Sequence, residues 1–318
     1  MKRKITLLIN KSEIAAGTRG ASLGPEAVMV VARKEENNFF GRFPIAFSEE
    51  VNHLLDDPIR HPFSKRIEGL LTVYESVTQT VKKILRSDRF PLVLAADHAS
   101  AGATISGIKA AHPDKRLGVV WIDAHADLHS PYTTPSGNMH GMPLAIALNQ
   151  DNIEEQKNSI SNGVIECWNK LKSMGIEGPK VDPEDVVFIS VRDTQQEEEA
   201  MMSRLNMINF TVDEIREKGI EKTTSCVFEK LDKCDIIYVS FDVDSLDPGT
   251  ASFGTGTPVA NGLNSDEASY LLRKLGEHPK TVCIEFVEIN PCLDDKKNKM
   301  AEVAFDLLKK TVAGIEDN

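Results

Sequence analysis

The sequence has no paired cysteines: Cys167, Cys226, Cys234, Cys283 and Cys292 are scattered, odd in number and nowhere spaced C-x-x-C. A disulfide framework and a thiolate zinc site are therefore not expected, and the reading is a reducing, cytoplasmic compartment. Long apolar runs are missing as well. Lys2, Arg3 and Lys4 precede a short one, but Asn10, Lys11 and Glu13 end it too early for a signal peptide. No stretch is long enough to cross a bilayer, so no membrane partner is expected. Basic blocks are also absent. The chain carries 37 Lys and Arg against 48 Asp and Glu, a net charge of −11, which disfavours a phosphate backbone and so excludes nucleic acid as an expected partner. The glycines of segment 249–262 do not follow the strand, G-x-G-x-x-G, helix pattern, and no P-loop or serine elbow occurs.

What is present suits one large domain over residues 1–318: 41% of the residues are hydrophobic, enough for a substantial core, although only 6% are aromatic. Apolar and β-branched runs at 5–9, 92–96, 117–122, 185–191, 236–241 and 281–287 read as strands, with 206–212 a weaker addition. Between them, residues 65–87 place Ile67, Leu70, Leu71, Tyr74, Val77, Val81 and Leu85 at helical steps. Similar patterns recur near 141–149, 160–174, 221–232, 265–277 and 298–312, and the acidic run at 194–201 reads as a solvated helix start. Strands as continuously apolar as LGVVWI and DIIYVSF suit a parallel sheet covered on both faces. The expectation is an α/β fold, a three-layer α/β/α sandwich with a mostly parallel central sheet. A closed α/β barrel has a similar element count. The Gly- and Pro-rich stretches at 131–143 and 248–262 read as loops over an active face.

The chemistry concentrates at strand ends. In W-I-D-A-H-A-D, from Trp121 to Asp127, the residues Asp123, His125 and Asp127 alternate directly after an apolar strand, and in extended backbone residues two apart face the same side. S-F-D-V-D-S-L-D-P adds Asp242 and Asp244 in the same spacing, and His98 follows a third strand. An isolated D-x-D is more often a turn or surface pair; D-A-H-A-D with two companions is harder to dismiss. Four carboxylates packed together would oppose one another's ionisation. Two divalent cations relieve that repulsion, and an all-oxygen-and-nitrogen donor set fits Mn2+ while permitting Co2+, Ni2+, Fe2+ or Zn2+.

With these motifs, and with G-A-S-L-G-P near the start, G-T-G-T-P-V and E-F-V-E-I-N-P near the end, the chain resembles the ureohydrolase family of arginases, agmatinases, guanidinobutyrases and formimidoylglutamases. The resemblance implies a binuclear, usually manganese, hydrolase. One metal would be held by His98, Asp123, Asp127 and Asp242, the other by His125, Asp123, Asp242 and Asp244. The segment S-G-N-M-H-G-M-P, from Ser136 to Pro143, is similar to the arginase form of the substrate loop. It implies that Thr134, Ser136 and Asn138 contact a substrate carboxylate, Asp193 and Glu198 the amino side, Glu288 the guanidinium, and that His140 is an active-site histidine. Family members commonly form homotrimers or homohexamers, which the resemblance extends here. His129 stands where arginases often carry a carboxylate-binding asparagine, Gln195 where many carry an acid, and Ala95 and Ala96 replace a glycine pair.

The implied reaction is cleavage of L-arginine to L-ornithine and urea. A guanidinium carbon is a poor electrophile, so attack needs hydroxide generated between two cations. Asp127 would take its proton, and His140 would shuttle one to solvent or the departing amine. Each residue also has a plainer reading: Glu288 as a paired buried acid, His140 as a loop histidine, Ser136 and Asn138 as helix-entry caps, Asp193 as a salt-bridged strand end beside Arg192. The rival functions are another amidino hydrolase and a non-catalytic, metal-stabilised interaction protein.

Overall fold

The computed structural model describes residues 2–35 and 38–318. In these residues eight strands form one fully parallel sheet: β1 (Ile5–Asn10), β2 (Ile45–Phe47), β3 (Phe90–Ala95), β4 (Leu117–Ile122), β5 (Val186–Ile189), β6 (Ile208–Phe210), β7 (Ile236–Asp242) and β8 (Thr281–Val287). Their order, β2-β1-β3-β8-β7-β4-β5-β6, leaves β2 and β6 as edges, so the sheet is open and the barrel alternative is set aside. Among the described residues ten α-helices cover it: α1 (Gly24–Glu35), α2 (Ile67–Arg86), α3 (Ser100–Ala111), α4 (Pro143–Leu148), α5 (Asn162–Ser173), α6 (Gln196–Arg204), α7 (Val212–Lys218), α8 (Ile220–Lys230), α9 (Ser265–Glu277) and α10 (Lys299–Glu316).

Strand alternation sorts these helices into two layers. Val120 and Ile122 of β4 enter the core made with α1, α7, α8, α9 and α10. Val119 and Trp121 enter the opposite core, made with α2, α3, α4, α5 and α6. The result is the three-layer α/β/α sandwich. None of the described helices is long and apolar enough to cross a membrane.

Three helices and a strand depart from the sequence expectation: α7 starts at Val212, where the 206–212 strand was expected to end, and α3, α1 and β2 went unread for physical reasons. Every residue of α3 from Ser100 to Lys109 is buried, so it lacks the polar face by which an amphipathic helix is recognised. It packs closely on α2. A Cβ at Gly107 would lie 2.7 Å from Val81 Cβ and 2.8 Å from the Thr78 carbonyl, so only glycine permits that approach. The fully buried apolar face of α1 is short, made by Pro25, Val28, Val31 and Ala32. Strand β2 is three residues long and half exposed at the sheet edge, too short for alternation to show.

Register places the site. Ile122 pairs with Phe241, so Asp123 and Asp242 leave adjacent strands side by side. Asp242 pairs with Val287, one residue before Glu288. Leu94 pairs with Phe286, which sets His98 just beyond the same edge. The C-terminal ends of β3, β8, β7 and β4 are therefore contiguous, where ligands of open parallel sheets bind.

Candidate metal centre

Trp121 fills the core beneath the site, stacks on the His98 ring at 4.2 Å between centroids, and donates its indole N–H to Asp123 Oδ2 at 3.0 Å. His98 Nε2 lies 2.7 Å from Ser240 Oγ, which leaves Nδ1 pointing into the cluster. That atom is 3.0 Å from Asp123 Oδ2, 3.0 Å from Asp127 Oδ2 and 3.3 Å from Asp242 Oδ2. Although buried, it forms no hydrogen bond of acceptable geometry. On the other side, His125 Nδ1 stands 3.4 Å from Asp123 Oδ1 and 3.1 Å from Asp244 Oδ2.

Backbone bonds hold the carboxylates in place. The amide of His125 donates to Asp123 Oδ1, that of Ala124 to Asp244 Oδ1 and that of Asp244 to Asp242 Oδ1. The Thr257 hydroxyl donates to Asp244 Oδ2 at 3.0 Å. Asp127 and Glu288 both adopt left-handed backbone, φ 51° and 65°, a conformation that costs of order 1–3 kcal/mol and concentrates at functional sites.

The electrostatics are those of a cage for cations. Burial and the charge of Asp123 raise Asp127 and Asp244; burial with the charges of Asp244 and Asp123 raises Asp242 well above the carboxylate range. Burial also pushes Asp123 upward, but the adjacent His125 and His98 imidazoles outweigh it and hold the group low. Burial lowers both histidines, yet their carboxylate neighbours bring His98 and His125 well above the usual imidazole range. Protons thus carry a charge balance that divalent cations suit better. His98, Asp123 and Asp127 bring ligand atoms within 4.8 Å of one another, as do Asp123, His125 and Asp244. The two groups share Asp123, and with the unpartnered His98 Nδ1 they fit two divalent cations. An oxygen and nitrogen donor set of this kind suits Mn2+. Asp242 lies outside both groups, with Oδ2 3.3 Å from His98 Nδ1 and Oδ1 accepting from the Asp244 amide.

A cavity of about 240 Å3 opens onto the cluster, walled by His125, Asp127, His129, His140, Asp193, Gln195 and Glu198 among others. Glu288 is buried behind this wall. Its Oε1 accepts from the His98 amide at 2.9 Å and lies 3.2 Å from His140 Nδ1. Burial lowers His140, but the Glu288 hydrogen bond and charge bring it up to about 9. Glu198 Oε1 accepts from the Leu128 amide and Oε2 from the Gln195 amide, so it begins α6 and braces the D-A-H-A-D segment together.

The other expected residues sit differently. Asp193 is exposed on the rim, 3.6 Å from His125 Nε2. Arg192 does not pair with it; the guanidinium donates to the carbonyls of Ser190, Asp244, Val259 and Ala260 and ties the 248–262 loop to the site. Thr134, Ser136 and Asn138 do not line the cavity. The Thr134 hydroxyl accepts from the Gly137 amide, Ser136 from the Asn138 amide, and Asn138 Oδ1 from Lys65 Nζ at 2.9 Å.

Sequence reasoning passed over three residues. Ser240 precedes Asp242 by two positions, so the same alternation that singled out Asp242 would have found it. Asp97, buried beside Glu288, accepts from the Ala15 and Ala99 amides, and burial with the Glu288 charge brings it up to about 7. Thr257 lies in G-T-G-T-P-V, 13 residues from the carboxylate it meets, and carries no local signal.

A family model described as the arginase family matches residues 9–314. The chain is 34% identical to an arginase of Brevibacillus brevis over 97% of each protein. Crystal structures of arginases from Bacillus subtilis and Bacillus caldovelox superpose with TM-scores of 0.81 and 0.82, at 31% and 29% identity and 98% coverage of both chains. With two ligand clusters sharing one aspartate at the end of this sheet, the chain belongs to the arginase family of binuclear-metal ureohydrolases.

Proposed function

We propose that the chain hydrolyses L-arginine to L-ornithine and urea, with His98, Asp123, Asp127 and Asp242 around one cation and His125, Asp123, Asp242 and Asp244 around the other. The observation that carries this reading is the His140–Glu288 pair, 3.2 Å apart, beside the shared aspartate cluster. When bound, the two cations supply the positive charge that lowers the pKa of a water towards neutrality.

The protein groups supply the rest. Glu288 Oε1 is engaged by the His98 amide and His140, so Oε2 is the oxygen to accept a guanidinium N–H and orient the carbon for attack. The Asp127 carboxylate accepts the proton released by the attacking water. A neutral amine must leave, because an amide anion is too basic, and His140, protonated up to about pH 9, is the acid that returns a proton to the departing nitrogen.

The amino-acid end is read at the rim. Asp193 and Glu198 face the cationic amino group. Thr134 and Ser136 accept loop amides and so keep their O–H donors, and Asn138 keeps its NH2; these donors suit an α-carboxylate. His129 and Gln195 on the cavity wall favour a second reading, a guanidino substrate lacking one α-substituent. Assembly as a homotrimer or homohexamer belongs to the same proposal and is read by light scattering.

The test is Mn2+-loaded turnover of L-arginine, agmatine and guanidinobutyrate in parallel, quantifying urea and the matching product. Preferential ornithine release is expected. Faster turnover of agmatine or guanidinobutyrate would transfer the assignment to that compound, and turnover of none would sink both readings.

A further inference from the structure

At the end of the sheet opposite the metal centre, a second cavity of about 410 Å3 opens where β1, β3 and β8 begin. Its walls are strongly basic in a chain of net charge −11. Lys2, Arg3 and Lys4 lead into β1, and Arg89 leads into β3; among the described residues Asp88, exposed, is the one carboxylate on the lining. Neither arginine pairs with an acid among the described residues. Arg3 donates to the carbonyls of Thr281 and Pro279 at 2.7 and 2.6 Å, and Arg89 donates to the Thr6 hydroxyl and the Ile5 carbonyl. Among the described residues, no carboxylate oxygen lies within the 4.0 Å of an ion pair from Lys2, Arg3, Lys4 or Arg89. These bonds fix the guanidinium planes without discharging them, and each retains unused N–H donors.

Two further observations point to a ligand. Thr281, 1% exposed, lines the cavity, and among the described residues its hydroxyl has no hydrogen-bond partner. A buried hydroxyl without a partner costs roughly 1–3 kcal/mol, which an acceptor in the cavity would recover. His112, on the same wall, is held below the usual imidazole range by burial and then by the charges of Lys115, Arg86 and Lys109, so the surrounding field is positive well beyond the lining. The volume lies within the roughly 300–1,000 Å3 of small-molecule sites.

We propose that this cavity is a second binding site, distinct from the metal centre, for a small multiply charged oxyanion. Fixed guanidiniums, exposed ammonium groups and one hydroxyl donor match the oxygens of either a phosphate compound or a polycarboxylate. A neutral ligand would leave the cations uncompensated, and a single carboxylate would balance only one of them.

The experiment is calorimetric titration of the metal-loaded protein with inorganic pyrophosphate and, separately, with citrate. It is repeated on the double variant Lys2→Glu/Lys4→Glu and on Thr281→Val. Lys2 and Lys4 are exposed and their side chains make no hydrogen bond or ion pair among the described residues, so the double variant should melt as the parent does. Saturable binding of at least one anion is expected, weakened tenfold or more by the double reversal and severalfold by T281V. Binding of pyrophosphate alone assigns the site to phosphate compounds; binding of citrate alone assigns it to polycarboxylates. Chelation of the metals by the probe is common to all three proteins and cancels from the comparison. No binding of either anion, or equal binding by parent and double variant, overturns the proposal. Neither outcome depends on which guanidino compound the metal centre hydrolyses.

Discussion

Nε2 of His129 lies 3.6 Å from Oε2 of Glu198 on the wall of the catalytic cavity, and the imidazole nitrogen has no hydrogen-bond partner. Burial takes His129 down to about 4 and, against the hydrogen bonds from Leu128 and Gln195, brings Glu198 up to about 7. His129 Nδ1 faces the Thr133 hydroxyl at 3.2 Å, so a neutral ring offers Nε2 to whatever fills the cavity. A single hydrogen bond is worth roughly 0.5–1.5 kcal/mol, so His129→Ala should raise KM roughly 2- to 12-fold with little change in kcat. Steady-state urea release decides it. A kcat that falls in step with kcat/KM would instead put His129 in the chemical step.

Gly137 has φ 74°, and the carbonyl of Pro62 occupies the space a Cβ would need. Its amide donates to Thr134 and its carbonyl accepts from the Lys65 amide, so this residue closes the loop bearing Ser136 and Asn138. Gly137→Ala should cost of order 1–3 kcal/mol of unfolding free energy and raise KM for L-arginine. Urea denaturation of the metal-loaded protein measures the first effect. Parent-like stability and KM together would show that the loop tolerates a side chain there.

Metal binding should release protons. Asp127, Asp242 and Asp244 are raised, chiefly by burial, in the absence of cations, and His98 and His125 are raised by their carboxylate neighbours. The folded metal-free chain therefore binds more protons than the unfolded chain, and its stability falls as pH rises above the ordinary carboxylate value of 3.8. Cations replace those protons, so apparent Mn2+ affinity should tighten from pH 6 to pH 8. Calorimetry in buffers of different ionisation heat counts the protons released; a count of zero would contradict the cage described above.

Lys180 is 2% exposed, donates to the Lys172 carbonyl, and is lowered by burial to about 8. Between pH 8 and its ordinary value of 10.5 the unfolded chain holds a proton that the folded chain lacks. Stability is therefore gained as pH rises through that window, by up to about 1.4 kcal/mol per pH unit. Denaturant unfolding at pH 7.5 and 9.5 should show the parent gaining on Lys180→Met. Parallel behaviour of the two proteins would mean that the lysine stays charged throughout.

Local periodicity was enough to read most of the elements and the chemistry at their ends. The alternation of Asp123, His125 and Asp127, the D-V-D pair and the continuously apolar LGVVWI strand all express a two-residue repeat that no distant contact alters. Alternation brings Asp123 and His125 to one cluster, and it would equally have found Ser240.

Long-range pairing was not legible. Nothing local states that β8 and β7 insert between β3 and β4, yet that order brings His98, Glu288, Asp242 and Asp123 to one edge. Burial on every side hid α3, whose small residues answer to α2 across the interface. The Arg192 bonds to the 248–262 loop, the Asn138 bond to Lys65 and the approach of His129 to Glu198 join segments far apart in the chain. Residue type and spacing determined which chemistry was available, because side-chain direction along a strand is set locally. Only the tertiary structure decided which groups share a cavity and which are spent on holding loops, because burial and register depend on the whole sheet.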